Sequence, residues 1–149
     1  MTFNTVRRLI SLSAILAVAG IAGCQNLEPL PKDAPEGLLG GTSWQLQQLG
    51  AQGAIAGSQP TLVFAPAGKV SGTGSCNQFN GAVTIDGKSI TFSPLATTRM
   101  ACADALNAQE AAYFKALQQA QWFTVAGNTL TIYTKAMEQP LVYFRSKSA

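Results

Sequence analysis

The chain has 149 residues, 47% of them apolar and 11% charged, with ten basic side chains, seven acidic ones and no histidine. This apolar content excludes disorder by composition, and the missing histidine removes Ser-His-Asp and Cys-His catalysis and most zinc sites. Arg7 and Arg8 account for most of the formal charge of +3; beyond them eight basic residues face seven acidic ones, and no basic patch points to nucleic acid.

Arg7 and Arg8 precede an apolar run over residues 9–22, broken only by Ser11 and Ser13, and Gly23 and Cys24 follow. The run falls short of the roughly 20 residues a membrane-spanning helix needs. A positive start, a short apolar run and a small-residue cleavage site are the layout of a secretory signal. The end of that run, Ile21-Ala22-Gly23-Cys24, resembles the lipobox of bacterial lipoproteins. The resemblance implies removal of residues 1–23, a diacylglycerol on the Cys24 thiol and acylation, palmitate for example, of the new amino group. Two or more acyl chains anchor a protein stably where one binds only reversibly. Ordinary cleavage near Ala17-Val18-Ala19 is the alternative. In a host with two membranes, Gln25 in place of an aspartate after the cysteine implies the outer membrane, at its periplasmic face.

Residues 24–38 contain Pro29, Pro31 and Pro35 among mixed charges, which reads as a stiff, solvated tether. The domain proper is expected over residues 39–149. Residues 43–49 alternate with Trp44, Leu46 and Leu49 as apolar members, and the slip in spacing predicts a bulge or a strand end. A Gly/Ala/Ser-rich loop is expected over 50–60. Strands follow at 61–64 and 69–75 around a Pro66-Ala67-Gly68 turn, and at 79–85 and 89–92 around Asp86-Gly87. Residues 93–103 carry Pro94 without a clear period and read as an irregular connection. One helix comes next, with Asn107 and Glu110 spaced as a capping box or with an earlier start at Asp104. Its Leu106, Tyr113, Phe114 and Leu117 lie near one side. Strands at 121–125, 129–133 and 141–144 close the chain, the first two joined by a tight Gly127-Asn128 turn. About eight short strands and one helix predict an α+β fold with a strongly curved antiparallel sheet or partial β-barrel, one helix packed across its opening.

Lipidation of Cys24 leaves Cys76 and Cys102 as an even pair in a compartment where disulfides persist. A bond between them is expected, with roughly 3.5 kcal/mol of stabilisation from unfolded-state entropy. Two buried free thiols are the alternative.

The run Gly72-Thr-Gly-Ser-Cys76-Asn77-Gln-Phe79-Asn-Gly81 and the later Thr97-Thr98-Arg-Met100-Ala-Cys102 resemble the META domain, the family of heat-inducible HslJ-like proteins. Trp44 in the opening strand and Leu130-Thr-Ile-Tyr near the end also fit. The resemblance spans residues 39–145 and implies a compact α+β envelope domain, linked to heat induction and to resistance to novobiocin-type antibiotics, without an agreed enzymatic activity. Physically, glycines 72, 74 and 81 permit turns or bulges around Cys76, and Asn77 suits left-handed geometry. Ordinary turn roles favour a structural corner tied by a disulfide. The competing reading is a ligand site in which Asn77, Thr97, Thr98 and Arg99 converge.

Little else suggests chemistry. The carboxylates are scattered singly, Gly72-Thr73-Gly74 lacks the rest of a dinucleotide fingerprint, and Trp44, Phe64, Phe92, Phe114, Trp122 and Phe144 read as core. No cofactor, metal or enzymatic activity is expected. The function expected is a non-catalytic envelope lipoprotein supporting stress tolerance by binding an envelope protein or a small molecule. The alternatives are a small lipoprotein inhibitor of a lysozyme or protease, using the loop 50–58, and, last, a hydrolase built on carboxylates.

Overall fold

The computed structural model describes residues 35–135 and 140–146; the signal segment, Cys24 and most of the tether lie outside them. The described elements are α1 (Pro35–Leu39), β1 (Thr42–Leu49), β2 (Gln52–Gly53), β3 (Thr61–Ala65), β4 (Lys69–Thr73), β5 (Gln78–Asp86) and β6 (Ser89–Phe92). They continue with β7 (Ala96–Thr97), α2 (Asp104–Gln118), β8 (Ala120–Ala126), β9 (Thr129–Thr134) and β10 (Leu141–Arg145). α1 falls at the end of the segment read as tether. Proline is well suited to a first helical position, and the short helix ends on Leu39, which is fully buried. Among the described residues no helix is long and apolar enough to cross a membrane.

The strands pair antiparallel in the order β10-β9-β8-β6-β5-β4-β3-β1, and β1 pairs again with β10. The sheet therefore closes into an eight-stranded barrel, which removes the exposed edges an open sheet would carry. β2 adds to β1 and β7 to β5. Both short strands lie in stretches read from sequence as loop, because backbone pairing at a barrel rim needs no apolar alternation. The slip foreseen at the end of β1 is a register shift between Leu46 and Gln48 against β10. It keeps Leu49 on the buried side despite its odd spacing from Leu46. β5 and β6 join through Gly87-Lys88, with Asp86 opposite Ser89. The positive φ of 58° at Gly87 matches the twist that two-residue hairpins require.

Alternate residues fill the bore. Trp44, Leu46, Leu62, Phe64, Ile90, Phe123, Leu130, Ile132, Leu141 and Tyr143 are all buried. α2 closes one end, as one contact set demonstrates. Tyr113 packs against Phe79 of β5, with ring centroids 6.2 Å apart, and against Tyr143 of β10, with centroids 6.5 Å apart. β5 and β10 lie on opposite sides of the barrel, with three strands between them either way round. A side chain that reaches both must enter the bore. Tyr113 and Leu117 supply that plug and are fully buried. In the Trp44–Arg145 cross-strand pair of β1 and β10, the Arg145 guanidinium lies 4.8 Å from the centre of the Trp44 ring. That is cation–π range.

Candidate functional site

The motif around Cys76 packs against the N-terminal half of α2. Residues 74–77 fold back on themselves, with the Gly74 N–H donating to the Asn77 carbonyl at 2.8 Å. Ser75 absorbs the geometry at φ 117°, uncommon for a residue with a side chain. The positive φ expected at Asn77 therefore falls two residues earlier. The turn aims two successive N–H groups inward, where Cys76 and Asn77 both donate to Glu110 Oε2, at 3.0 and 2.6 Å. Asn77 Nδ2 donates to Glu110 Oε1 at 2.7 Å. On its other side Asn77 Oδ1 accepts from the Met100 N–H at 2.7 Å and from the Thr98 hydroxyl at 3.0 Å.

Asn77 is 6% exposed and Glu110 8%. Removing a carboxylate from water costs several kcal/mol unless donors replace the lost hydration. Three N–H donors on its two oxygens do so here. The space for this carboxylate comes from Gly74, where a Cβ would lie 2.8 Å from Glu110 Cγ and 2.9 Å from Oε2. Steric room, rather than a turn, is what the motif glycine provides; at Gly72 likewise a Cβ would run into the Thr61 carbonyl.

Sequence reasoning missed both acceptors on α2. Asn107 and Glu110 do not form a capping box. The helix begins after Ala103 without a side-chain cap, and Asn107 Nδ2 donates to the Cys102 carbonyl at 2.8 Å. Glu110 cannot reach back to the helix start because it points into the corner. Its neighbour Gln109, also buried, takes the Ile55 N–H on Oε1 at 2.7 Å. Through Nε2 it donates to the Ser58 carbonyl at 3.1 Å and to Ser75 Oγ at 2.7 Å. The signal that could have found both is their position: Glu110 precedes Tyr113 and Leu117 by three and seven residues, on the helix face that enters the barrel.

The Cys76–Cys102 disulfide spans Cα atoms 6.2 Å apart and ties the corner to the start of α2. Of the four residues proposed to converge, Asn77 and Thr98 meet. Thr98 Oγ1 also accepts from the Gln78 N–H at 3.1 Å. Thr97 pairs with Phe79 in the short β7 ladder. Thr97 and Thr98 line an open groove of about 340 Å³ with Ser71, Gln78 and Asn80, whereas Asn77 and Arg99 do not line it. Arg99 is exposed. Asn77 has its amide bonded inside the protein at both ends, so the region is a packed corner with a shallow groove beside it.

The aromatic residues divide. Trp44, Phe64 and Phe92 are core and Phe114 is partly buried against it, but Trp122 is 42% exposed and Phe144 53%. Period two explains Phe144, since Leu141 and Tyr143 take the inward positions of β10. A register shift between Ala120 and Trp122 sets the phase of β8, with Phe123 inward and Trp122 outward. Deep in the bore, burial pushes the phenols of Tyr113 and Tyr143 above the ordinary tyrosine range. Tyr113 donates weakly to the Thr61 carbonyl at 3.3 Å, while the Tyr143 hydroxyl, buried near that of Tyr113, makes no hydrogen bond of regular geometry among the described residues.

The described residues include no group of three or more Cys, Asp or Glu side chains placed to hold a metal ion. Among curated proteins none matches the chain. Solved structures similar to it include the following three. One, determined by NMR, is a protein from Burkholderia xenovorans, 27% identical over 77% of this chain and 88% of its own, with a TM-score of 0.62. A second NMR structure is 27% identical over 72% of this chain and 92% of its own, with a TM-score of 0.60. The third, a crystal structure of a DUF4847 family protein from Bacteroides vulgatus, is 12% identical with a TM-score of 0.56, covers 76% of this chain and 99% of its own, and so shares the fold alone. The sequence profile of the META domain matches residues 37–148. That span takes in the whole barrel, the Asn77–Glu110 corner and the disulfide, and the chain belongs to the META domain family.

Proposed function

We propose that the chain is a non-catalytic lipoprotein of the bacterial envelope, held by lipid on Cys24, that supports tolerance of heat or of novobiocin-type antibiotics by binding. The observation that carries this reading is the fate of the family motif. Its polar residues are spent inside the protein: Glu110 accepts three hydrogen bonds and Asn77 makes four through its side chain and backbone N–H. A buried carboxylate that holds three internal donors is poorly placed for general acid–base work, which needs a group within reach of the reacting proton. The motif then maintains the domain, and function falls to the outer surface. In a host with two membranes, Gln25 in place of an aspartate after Cys24 supports placement at the outer membrane, on its periplasmic face. The test is a deletion strain complemented by the intact gene. Heat and novobiocin sensitivity should rise on deletion and return on complementation; unchanged sensitivity sinks the stress reading.

A second reading, an inhibitor of a lysozyme or protease, draws on one specific feature. Gln109 clamps Ile55 and Ser58 to α2, so the loop over 50–58 is held in one shape, with Ile55 37% exposed near its tip. A preorganised loop loses less entropy when it enters a cleft. Failure of the chain to slow lysozymes or envelope proteases in direct assays removes this reading.

A further inference from the structure

The outer face of β8 and β9 carries an aromatic platform for which the core has no use. Trp122 and Tyr133 are cross-strand partners, and their rings stack with centroids 3.5 Å apart and planes 6° from parallel. Tyr133 covers one face of the indole, so the 42% exposure of Trp122 belongs to its other face and edges. An amphipathic ring of this kind, fixed in orientation and half in water, is what recognition surfaces use.

Beside the platform runs an open groove of about 390 Å³ lined by Ser89, Thr91, Gln118, Gln119, Gln121 and Lys135. Ser89 is the register partner of Trp122, which puts their Cβ atoms about 5 Å apart and sets the indole on the same face, next to the groove though not in its lining. The walls offer three primary amides and two hydroxyls, groups that both donate and accept. Lys135 adds a single positive charge. A phosphorylated or strongly anionic ligand would want more cations than this, and an apolar ligand would leave the amides unpaired. The inventory suits a neutral molecule dense in hydroxyls that also presents a flat apolar face. A pyranose with equatorial substituents has that form, with its C–H bonds on the ring face and its hydroxyls at the rim.

We infer that the Trp122–Tyr133 platform and the adjoining glutamine-lined groove form a binding site for a β-linked glycan chain, with one sugar ring stacked on Trp122 and its neighbours hydrogen-bonded by Gln118, Gln119 and Gln121. The site lies on the folded domain and does not rest on the anchoring or stress reading, so its failure leaves those untouched.

The experiment is calorimetric titration of the purified full chain with N-acetylchitotetraose and with cellotetraose, alongside tryptophan fluorescence. Saturable binding of at least one glycan is expected, with an emission shift from Trp122, since Trp44 is fully buried. Trp122→Ala should weaken binding about tenfold or more, as should the double variant Gln119→Ala/Gln121→Ala, a factor corresponding to about 1.4 kcal/mol. Phe144→Ala, which removes an exposed aromatic outside the groove, should bind like the parent. Far-UV circular dichroism checks folding; should Trp122→Ala not fold, the glutamine variant decides. No binding of either glycan at millimolar concentration overturns the inference, as does parental affinity in a folded Trp122→Ala or in the glutamine variant.

Discussion

Asn77 and Glu110 meet twice. The Asn77 side-chain nitrogen donates to one carboxylate oxygen at 2.7 Å and its backbone N–H to the other at 2.6 Å. One residue from the strand side thereby grips both oxygens of a helix residue 33 positions away. The Cys76 N–H adds a third donor. The pairing locks α2, the barrel's plug, to the turn that opens β5.

Glu110→Gln tests the charge in that pairing while keeping its shape. A glutamine has one oxygen where the carboxylate has two, so at least one buried N–H loses its acceptor. Hydrogen bonds to charged groups are the strong ones, and the loss should be about 1.5–3 kcal/mol. Asn77→Ala should cost a similar amount by orphaning Met100 and part of Glu110. Urea denaturation measures both: the midpoint should fall with little change in slope. A parental midpoint in Glu110→Gln would show that the carboxylate charge contributes nothing.

Gly74→Ala asks whether the motif glycine is needed for space. Its new methyl would meet Glu110 Cγ at 2.8 Å and, more closely still, the Phe114 ring, and both must give way. Overpacking of this kind costs about 1–3 kcal/mol. In the double variant Gly74→Ala/Glu110→Ala part of that cost should vanish, because the contact with Glu110 is relieved while that with Phe114 stays. Strict additivity in a double-mutant cycle would argue against the contact.

The tyrosines of the bore set an alkaline limit. Both phenols have folded-state values above the ordinary tyrosine value of 10.0, so above that pH the unfolded chain releases protons that the folded one retains. The folded state then binds more protons, and stability falls as pH rises past 10, by about 1.4 kcal/mol per pH unit for each tyrosine involved. Below pH 9 these groups contribute no pH dependence. Tyr143→Phe should make the alkaline fall shallower. It should also be neutral or stabilising near pH 7, because the hydroxyl it removes is buried beside that of Tyr113 without a hydrogen bond of regular geometry among the described residues. Thermal melts from pH 7 to 11 would display both effects; clear destabilisation at pH 7 would mean that the hydroxyl is bonded after all.

Replacing Cys76 and Cys102 with serine should lower stability by about 3.5 kcal/mol through the freed unfolded chain. The Asn77–Glu110 bonds should still hold the fold, with faster amide exchange over residues 96–102. Thiol titration of the denatured parent should find neither cysteine free; two free thiols would refute the bond.

Cys24→Ala should move the protein from the membrane to the soluble fraction, since one residue carries the proposed lipid. Continued membrane attachment of that variant would remove the lipobox reading.

Much of the fold was legible because its signals are local. Alternation in β1 and short β-rich runs bounded by turn residues elsewhere marked the eight barrel strands within a residue or two of their ends. Asp86-Gly87 and Gly127-Asn128 marked their hairpins, and an odd spacing before Leu49 announced the bulge in β1. The motif from Gly72 to Gly81 and the pair Cys76 and Cys102 named the family and the corner. Closure of the sheet was not legible, because the pairing of β1 with β10 joins segments nearly a hundred residues apart. Nor was the role of Glu110. Its spacing from Asn107 fits a cap as well as it fits anything local, and only the packed helix shows that its face turns into the barrel. Trp122 read as core because an aromatic in a strand usually is; a one-residue register shift sent it outward and left Phe123 inside. Local chemistry and periodicity thus determined which segments are strands, turns and helix. Which buried polar groups meet, and which aromatics face water, depended on contacts between distant segments, because burial and hydrogen bonding are set by the neighbours that folding brings together.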